Sequence, residues 1–366
     1  MRTIAIPKLY SILHARLLPI LTEAVDSQLL NMILLMMGLY NGRSVHLTRI
    51  ASRIPSTARK VSTVERIRRF LSNKAVNVRR WYEPVARQLI KCAAAGGQVH
   101  LVIDSSRVGF SAQLMMVGLA YGRRCLPIAW TWVPHKKGHS TTSLQLTLLR
   151  YVQTLLPVGI QVTLVGDSEF GRSLLLEELD HWGWHYALRQ AGDNLIWLKG
   201  AADWLRFDSL PLLADQPTYL PNALLTAENA YPTHLVAYRE AAQKQPWLLA
   251  TNLSTAHAAL LLYRRRMWIE QLFGDLKDNG FDLEATHLRA TDRLDRLTFA
   301  VCLLYLWFIA LSEQLSAAGL SALVDRADRR DLSLFRLGFD FLDRCLSLNL
   351  DPPPRFLPSL DLVLGS

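Results

Sequence analysis

The feature that most constrains this chain is a change of periodicity at Gln98. Upstream, apolar residues recur at helical spacing, as in "DSQLLNMILLMMGLY". From Gln98 onward, β-rich apolar runs alternate with amphipathic helical stretches. "QVHLVIDSS" reads as a strand ending on Asp104, and "LMMVGLAYGRRCLPIAWTWVP" as two strands around a turn near Gly122. "STTSLQLTLLRYVQTLL" reads as a helix, "VTLVGDSEFG" as a buried strand ending on Asp167, "RSLLLEELDHWG" as a helix and "WHYALRQ" as a strand. An order of strand, hairpin, helix, strand, helix, strand can bury its apolar faces only as a mixed sheet flanked by helices.

The rest of the chain is arranged around that block. Residues 1–95 form a helical unit, residues 96–190 and 253–318 a mixed α/β unit, residues 191–252 a β-rich insertion and residues 319–366 a helical C-terminal segment. The helix of "DSQLLNMILLMMGLY" ends at Asn41-Gly42. Ser44 is a candidate N-cap for "SVHLTRIASRIP", and Ser62 with Glu65 has capping-box spacing at the start of "STVERIRRFLSN". In that last helix Val64, Ile67, Phe70 and Leu71 make an apolar stripe, with Arg66 and Arg69 on another side. A helix, a short turn and a basic helix resemble a helix-turn-helix, whose second helix enters the major groove of DNA.

Charge points the same way. Between Arg43 and Lys91 there are 13 Lys/Arg against two acids, Glu65 and Glu83, which exceeds the net charge of +10 for the whole chain. A basic block beside a near-neutral body suits a polyanion; a solubility patch is the plainer alternative. The four cysteines are far apart, which excludes a zinc ribbon or disulfide framework and suits a reducing cytosol. No signal peptide is recognisable at the N-terminus. The most apolar run, Leu297–Leu311, has 15 residues, short of the roughly 20 that span a bilayer, so it is expected to be a buried core helix, with no membrane partner.

Asp104 and Asp167 each close an apolar strand, where α/β sheets usually present ligands. Two such carboxylates repel unless a cation lies between them. With no His or Cys nearby, oxygen ligands favour Mg2+ or Mn2+. Alternatively, each Asp starts a loop or caps the next helix, and Glu169 competes with Asp167 for the role. A third acid lies in "YRRRMWIEQLFGDLK". At about 100° per residue, Arg266, Glu270 and Lys277 fall within about 60° of Tyr263 on one helix face. Glu270 would complete a set of metal ligands, with Arg266 and Lys277 holding phosphates; Arg264 and Arg265 point elsewhere.

The pattern Y-x2-R-x3-E-x6-K, filled by Tyr263, Arg266, Glu270 and Lys277, resembles the signature of the IS4-type DDE transposases. The resemblance covers roughly residues 40 to 315. It implies an RNase H-like fold with a β-rich insertion, preceded by a helical DNA-binding domain. It implies Asp104, Asp167 and Glu270 as the catalytic triad holding two Mg2+ or Mn2+ ions. It also implies that Tyr263, Arg266 and Lys277 contact double-stranded DNA near the transposon end. Trp247, in "PWLLATNL", resembles an aromatic that family members set against a flipped base; a core tryptophan is the alternative. The implied activity is that of an endonuclease and strand transferase. It would cut at terminal inverted repeats and join the ends to target DNA by cut-and-paste, with a hairpin intermediate. The implied setting is a homodimer in a synaptic complex in the bacterial cytosol or nucleoid. Two other readings remain: an inactive domesticated DNA-binding protein, and an RNase H-fold nuclease without strand transfer. The loop at His135–Ser140 is a candidate DNA contact or a solvated loop, and His100, on the same strand face as Asp104, a supporting group or a packed histidine.

Overall fold

The structure, a computed structural model, describes residues 5–109, 112–134 and 140–360. Five helices come first: α1 (Ala5–Leu17), α2 (Asp26–Gly42), α3 (Leu47–Arg53), α4 (Lys60–Leu71) and α5 (Val78–Ala94). The next block is β1 (Gln98–Val108), β2 (Ala112–Tyr121), β3 (Arg124–Pro134), α6 (Thr142–Leu155), β4 (Gln161–Gly166), α7 (Ser173–His181) and β5 (His185–Arg189). Strands β6 (Leu195–Trp197), β7 (Leu205–Arg206), β8 (Thr218–Leu225), β9 (Tyr231–Tyr238) and β10 (Trp247–Thr251) follow. The chain then runs through α8 (Ala256–Tyr263), α9 (Met267–Leu276), α10 (Thr291–Ala317) and α11 (Leu334–Ser347).

All ten strands form one sheet in the order β3-β2-β1-β4-β5-β10-β9-β8-β6-β7. The first three are antiparallel neighbours, and β4 and β5 run parallel to β1. An antiparallel meander continued by two parallel strands is the RNase H-like arrangement. Leu101, Val102, Ile103 and Asp104 are all buried, so both faces of β1 are covered and its sequence is a continuous apolar run rather than an alternating one. The strands of 191–252 extend this sheet, because β10 pairs antiparallel with β5.

The interior is continuous from Leu9 through the sheet to Phe356. Helix α10 lies at its centre. It is 27 residues long, and by length and apolarity it would pass for a membrane span; 94% of its most apolar window is buried in the protein. The expected core helix is therefore correct, although the helix is longer than the apolar run that marks it. Arg296 of α10 donates to the carbonyls of Leu71 and Val76, tying the end of α4 and the approach to α5 to the core.

The N-terminal helices keep the expected stripe: Val64, Ile67, Phe70 and Leu71 are buried. Two expected caps differ. Helix α4 begins at Lys60, ahead of Ser62, with Arg59 as N-cap and no side-chain cap. Helix α3 is capped at His46; Ser44 is buried, and its hydroxyl accepts from the His46 amide. In both cases burial of the apolar stripe, at roughly 1.5–3 kcal/mol for each large side chain, outweighs a cap worth about 1 kcal/mol.

Candidate active site

Strand register brings the two aspartates together. Ile103 and Gly166 form the last parallel pair between β1 and β4. The residues that follow are Asp104 and Asp167, on strands about 4.8 Å apart. Asp104 does not end its strand as expected: β1 runs on to Val108, paired with β2 alone. What ends at Ile103 is the pairing with β4. Gly166 makes the close approach possible, since a Cβ there would lie 2.9 Å from Cγ2 of Ile103 and 3.1 Å from Cδ2 of Leu188. Asp167 also caps the 3-10 turn Ser168–Phe170, accepting from the Glu169 amide at 2.9 Å.

The third acid arrives on α9. The expected single helix from Tyr263 to Lys277 is interrupted: α8 ends at Tyr263, Arg264–Arg266 form a 3-10 turn, and α9 starts at Met267. At three residues per turn, Arg266 stays in line with Tyr263 and Glu270 is offset by only about 40°. The shared face therefore survives the break. Lys277 does not stay on it. It lies past the end of α9 and pairs with Glu284 at 2.6 Å.

Arg266 is the keystone of the cluster. One guanidinium nitrogen donates to Asp104 Oδ2 at 3.1 Å and the other to Glu270 Oε1 at 2.5 Å. The guanidinium is largely buried, at 16% exposure, and Asp104 more so, while Glu270 reaches solvent. Burial raises the Asp104 carboxyl to about 7 although Arg266 opposes it, and Asp167 and Glu270 push in the same direction as burial. Burial alone would lower the Arg266 pKa; Asp104 and Glu270 more than compensate and raise it. Such competing influences on neighbouring groups are typical of functional carboxylates.

A divalent cation fits this arrangement in donor type and register. Asp104 and Asp167 are hard oxygen donors on neighbouring strands, and a cation between them would offset the burial that chiefly raises Asp104 as well as the smaller push from Asp167. Glu270 reaches the pair through Arg266; among the described residues no three such side chains converge on one point.

Aromatic and basic groups flank the cluster. Tyr263 is buried, and its ring meets Trp247 edge-to-face at 5.1 Å. Burial raises the Tyr263 pKa, with Arg266 and Arg189 pulling the other way. Trp247 begins β10 and is half-buried, so it both packs in the sheet and borders the site. Arg189 escaped sequence reasoning. It follows Leu188, the β5 partner of Gly166, so Asp104, Asp167 and Arg189 stand in one row across three parallel strands. The available signal was that the apolar run of "WHYALRQ", like those before Asp104 and Asp167, is followed directly by a charged residue. His100 bonds Thr163 at 2.7 Å, as a packed strand histidine, and burial lowers its pKa to about 4.

Arg66 and Arg69 lie apart from this cluster, on α4. Arg66 donates to Asn31 Oδ1 of α2 at 2.7 Å. The two arginines line a groove of about 450 Å3 with Ser27, Gln28, Asn31, Phe70 and Asn73. Residues 135–139 of the basic loop fall outside the described residues.

Residues 97–307 match the family of the transposase DDE domain. The chain is also similar to the solved cryo-EM structure of the piggyBac transposase synaptic complex with hairpin DNA, with a TM-score of 0.45 and 13% identity, covering 100% of this chain and 87% of that one. No curated protein sequence matches the chain.

Proposed function

Because this chain belongs to the transposase DDE-domain family, we propose that it is an IS4-type cut-and-paste DNA transposase whose catalytic acids are Asp104, Asp167 and Glu270. The observation that carries this reading is the last β1–β4 pair, which puts Asp104 beside Asp167, with Arg266 linking Asp104 to Glu270. The family works with divalent metal ions, and two Mg2+ or Mn2+ ions held by these carboxylates would activate water and offset charge on the reacting phosphate.

The chain's own groups then have distinct tasks. Asp104 and Asp167 would hold the cations, with Glu270 completing the set once released from Arg266. Arg266 neutralises Asp104 and Glu270 and orients both; Tyr263, buried against Trp247, supports that ring from beneath, and Lys277 would reach the DNA backbone only by exchanging its partner Glu284 for a phosphate. Trp247 offers a ring face for an unstacked base, worth about 1–3 kcal/mol. The reaction is hydrolysis at each end, attack of the freed 3′-OH on the opposite strand to give a hairpin, a second hydrolysis, and attack on target DNA. No protein nucleophile is required.

End recognition falls to the basic helical region. The groove holding Arg66 and Arg69 is lined by amide, hydroxyl and guanidinium groups, with no carboxylate among its lining residues. That composition suits base edges and phosphates. Two protomers would pair two ends. The test is incubation of the full chain with Mg2+ and DNA carrying the element's own terminal repeats. Nicked ends and joined products are expected. Cleavage without joining would support a nuclease, and binding without cleavage an inactive DNA binder.

A further inference from the structure

Glu169, two residues beyond Asp167, is tied into the site more closely than its position suggests. One carboxylate oxygen accepts from the Ser140 amide at 2.7 Å, from the Ser140 hydroxyl at 2.5 Å and from the Ser105 hydroxyl at 3.5 Å. The other accepts from Gln113 at 3.2 Å. The Glu169 amide donates to Asp167 at 2.9 Å, and the Ser105 amide donates to Asp104 at 2.7 Å. Its carbonyl accepts from the buried Gln145 of α6 at 3.1 Å.

One residue thus ties β1, β2, the start of α6 and the turn that Asp167 caps. Three of these donors converge on one carboxylate oxygen and Gln113 engages the other, so protein groups hold both oxygens. We propose that Glu169 is a positioning residue: it takes no metal itself and fixes the spacing of Asp104 and Asp167 by holding the segments that carry them. Ser105 is its link to Asp104, and its own backbone is its link to Asp167. This rests on the reading of those two aspartates as the metal-holding pair. Small errors in such a spacing are expensive for metal sites, since outer partners typically change affinity 10–100-fold.

The full chain is compared with Glu169→Ala, Glu169→Gln, Ser140→Ala and Asp167→Ala. Four quantities are read: Mn2+ affinity by calorimetry, cleavage across a Mg2+ titration, end binding by gel shift, and melting temperature. Glu169→Ala should weaken Mn2+ binding at least tenfold while end binding stays within twofold, and high Mg2+ should restore part of its cleavage. Asp167→Ala should not be restored. Glu169→Gln and Ser140→Ala, each removing one feature of the clamp, should shift the Mg2+ midpoint about threefold.

Wild-type Mn2+ affinity in Glu169→Ala, alongside its loss in Asp167→Ala, overturns the proposal and leaves the catalytic assignment standing. Failure of high Mg2+ to restore Glu169→Ala overturns it in favour of a direct ligand. If Glu169→Ala does not fold, wild-type midpoints in both Glu169→Gln and Ser140→Ala overturn it. Normal cleavage by Asp167→Ala would instead overturn the transposase site on which the proposal rests.

Discussion

Ile103 and Gly166 face each other as the last parallel pair of β1 and β4, and the next residue on each strand is an aspartate. The glycine is required by close approach, since a Cβ would crowd Ile103 and Leu188. Gly166→Ala should push β1 and β4 apart by a few tenths of an ångström, at about 1–3 kcal/mol. Cleavage should fall by at least tenfold while end binding persists. Melting curves, gel shifts and cleavage rates measured on the same preparation check this.

Arg266 is shared by Asp104 and Glu270. Arg266→Ala leaves Asp104 buried beside Asp167 without its cation. Removing one member of a buried pair costs about 3–5 kcal/mol, less here because Glu270 is open to water. The Asp104 carboxyl should rise further, so residual Mg2+-dependent cleavage should need higher pH than in the wild type. Arg266→Lys, with one ammonium in place of a fork, should restore only part of the rate. A pH–rate profile unmoved in Arg266→Ala would count against this.

Stability without metal should fall as pH rises from about 4 to about 7. Burial raises Asp104 to about 7 and Asp275 and Asp295 to about 6, and these three outweigh His100, which burial lowers to about 4 and which acts in the opposite direction, so the folded chain binds more protons than the unfolded one in that window. A raised carboxyl contributes stability that is complete below its unfolded pKa and is lost as pH passes the folded value. Asp104→Asn should flatten the upper part of that slope and melt several degrees higher than the wild type at pH 8 in EDTA. Melting temperatures across a pH series give the answer.

Arg124 of β3 and Asp275 of α9 form a buried ion pair at 3.0 Å, five residues beyond Glu270 on the same helix. Breaking it from one side should cost about 3–5 kcal/mol, whereas replacing both by apolar residues of similar volume should recover most of the loss. Denaturation of Asp275→Leu against the double variant Arg124→Met/Asp275→Leu tests the pair. Recovery of stability without recovery of cleavage would show that it also sets the position of Glu270.

Arg66→Ala and Arg69→Ala should each weaken end binding and lower the slope of log affinity against log salt by about one. Cleavage at saturating protein should change little, because neither side chain touches the acidic cluster. Arg66 is held by Asn31, so Asn31→Ala should give a smaller loss in the same direction.

Much of this protein is legible in its residues. The order of strands and helices, the buried stripe of α4 and the core helix α10 follow from local periodicity, whereas the three acids stand out by the apolar runs before Asp104 and Asp167 and by the family resemblance of the segment that carries Glu270. Periodicity is a property of neighbouring residues, so a lone chain displays it. The helical face of Tyr263, Arg266 and Glu270 is of the same kind and survives a 3-10 interruption, because the interruption adds a whole turn. The tertiary structure decided the rest. It joined Asp104 to Asp167 through a register set by residues some sixty positions apart, drew Lys277 away to Glu284, and put Arg189 in the row of acids. It placed Glu169 among donors from β1, β2 and the start of α6. Those outcomes depend on which strands pair and which side chains find a partner once water is excluded, and that competition is settled only when the whole chain is packed.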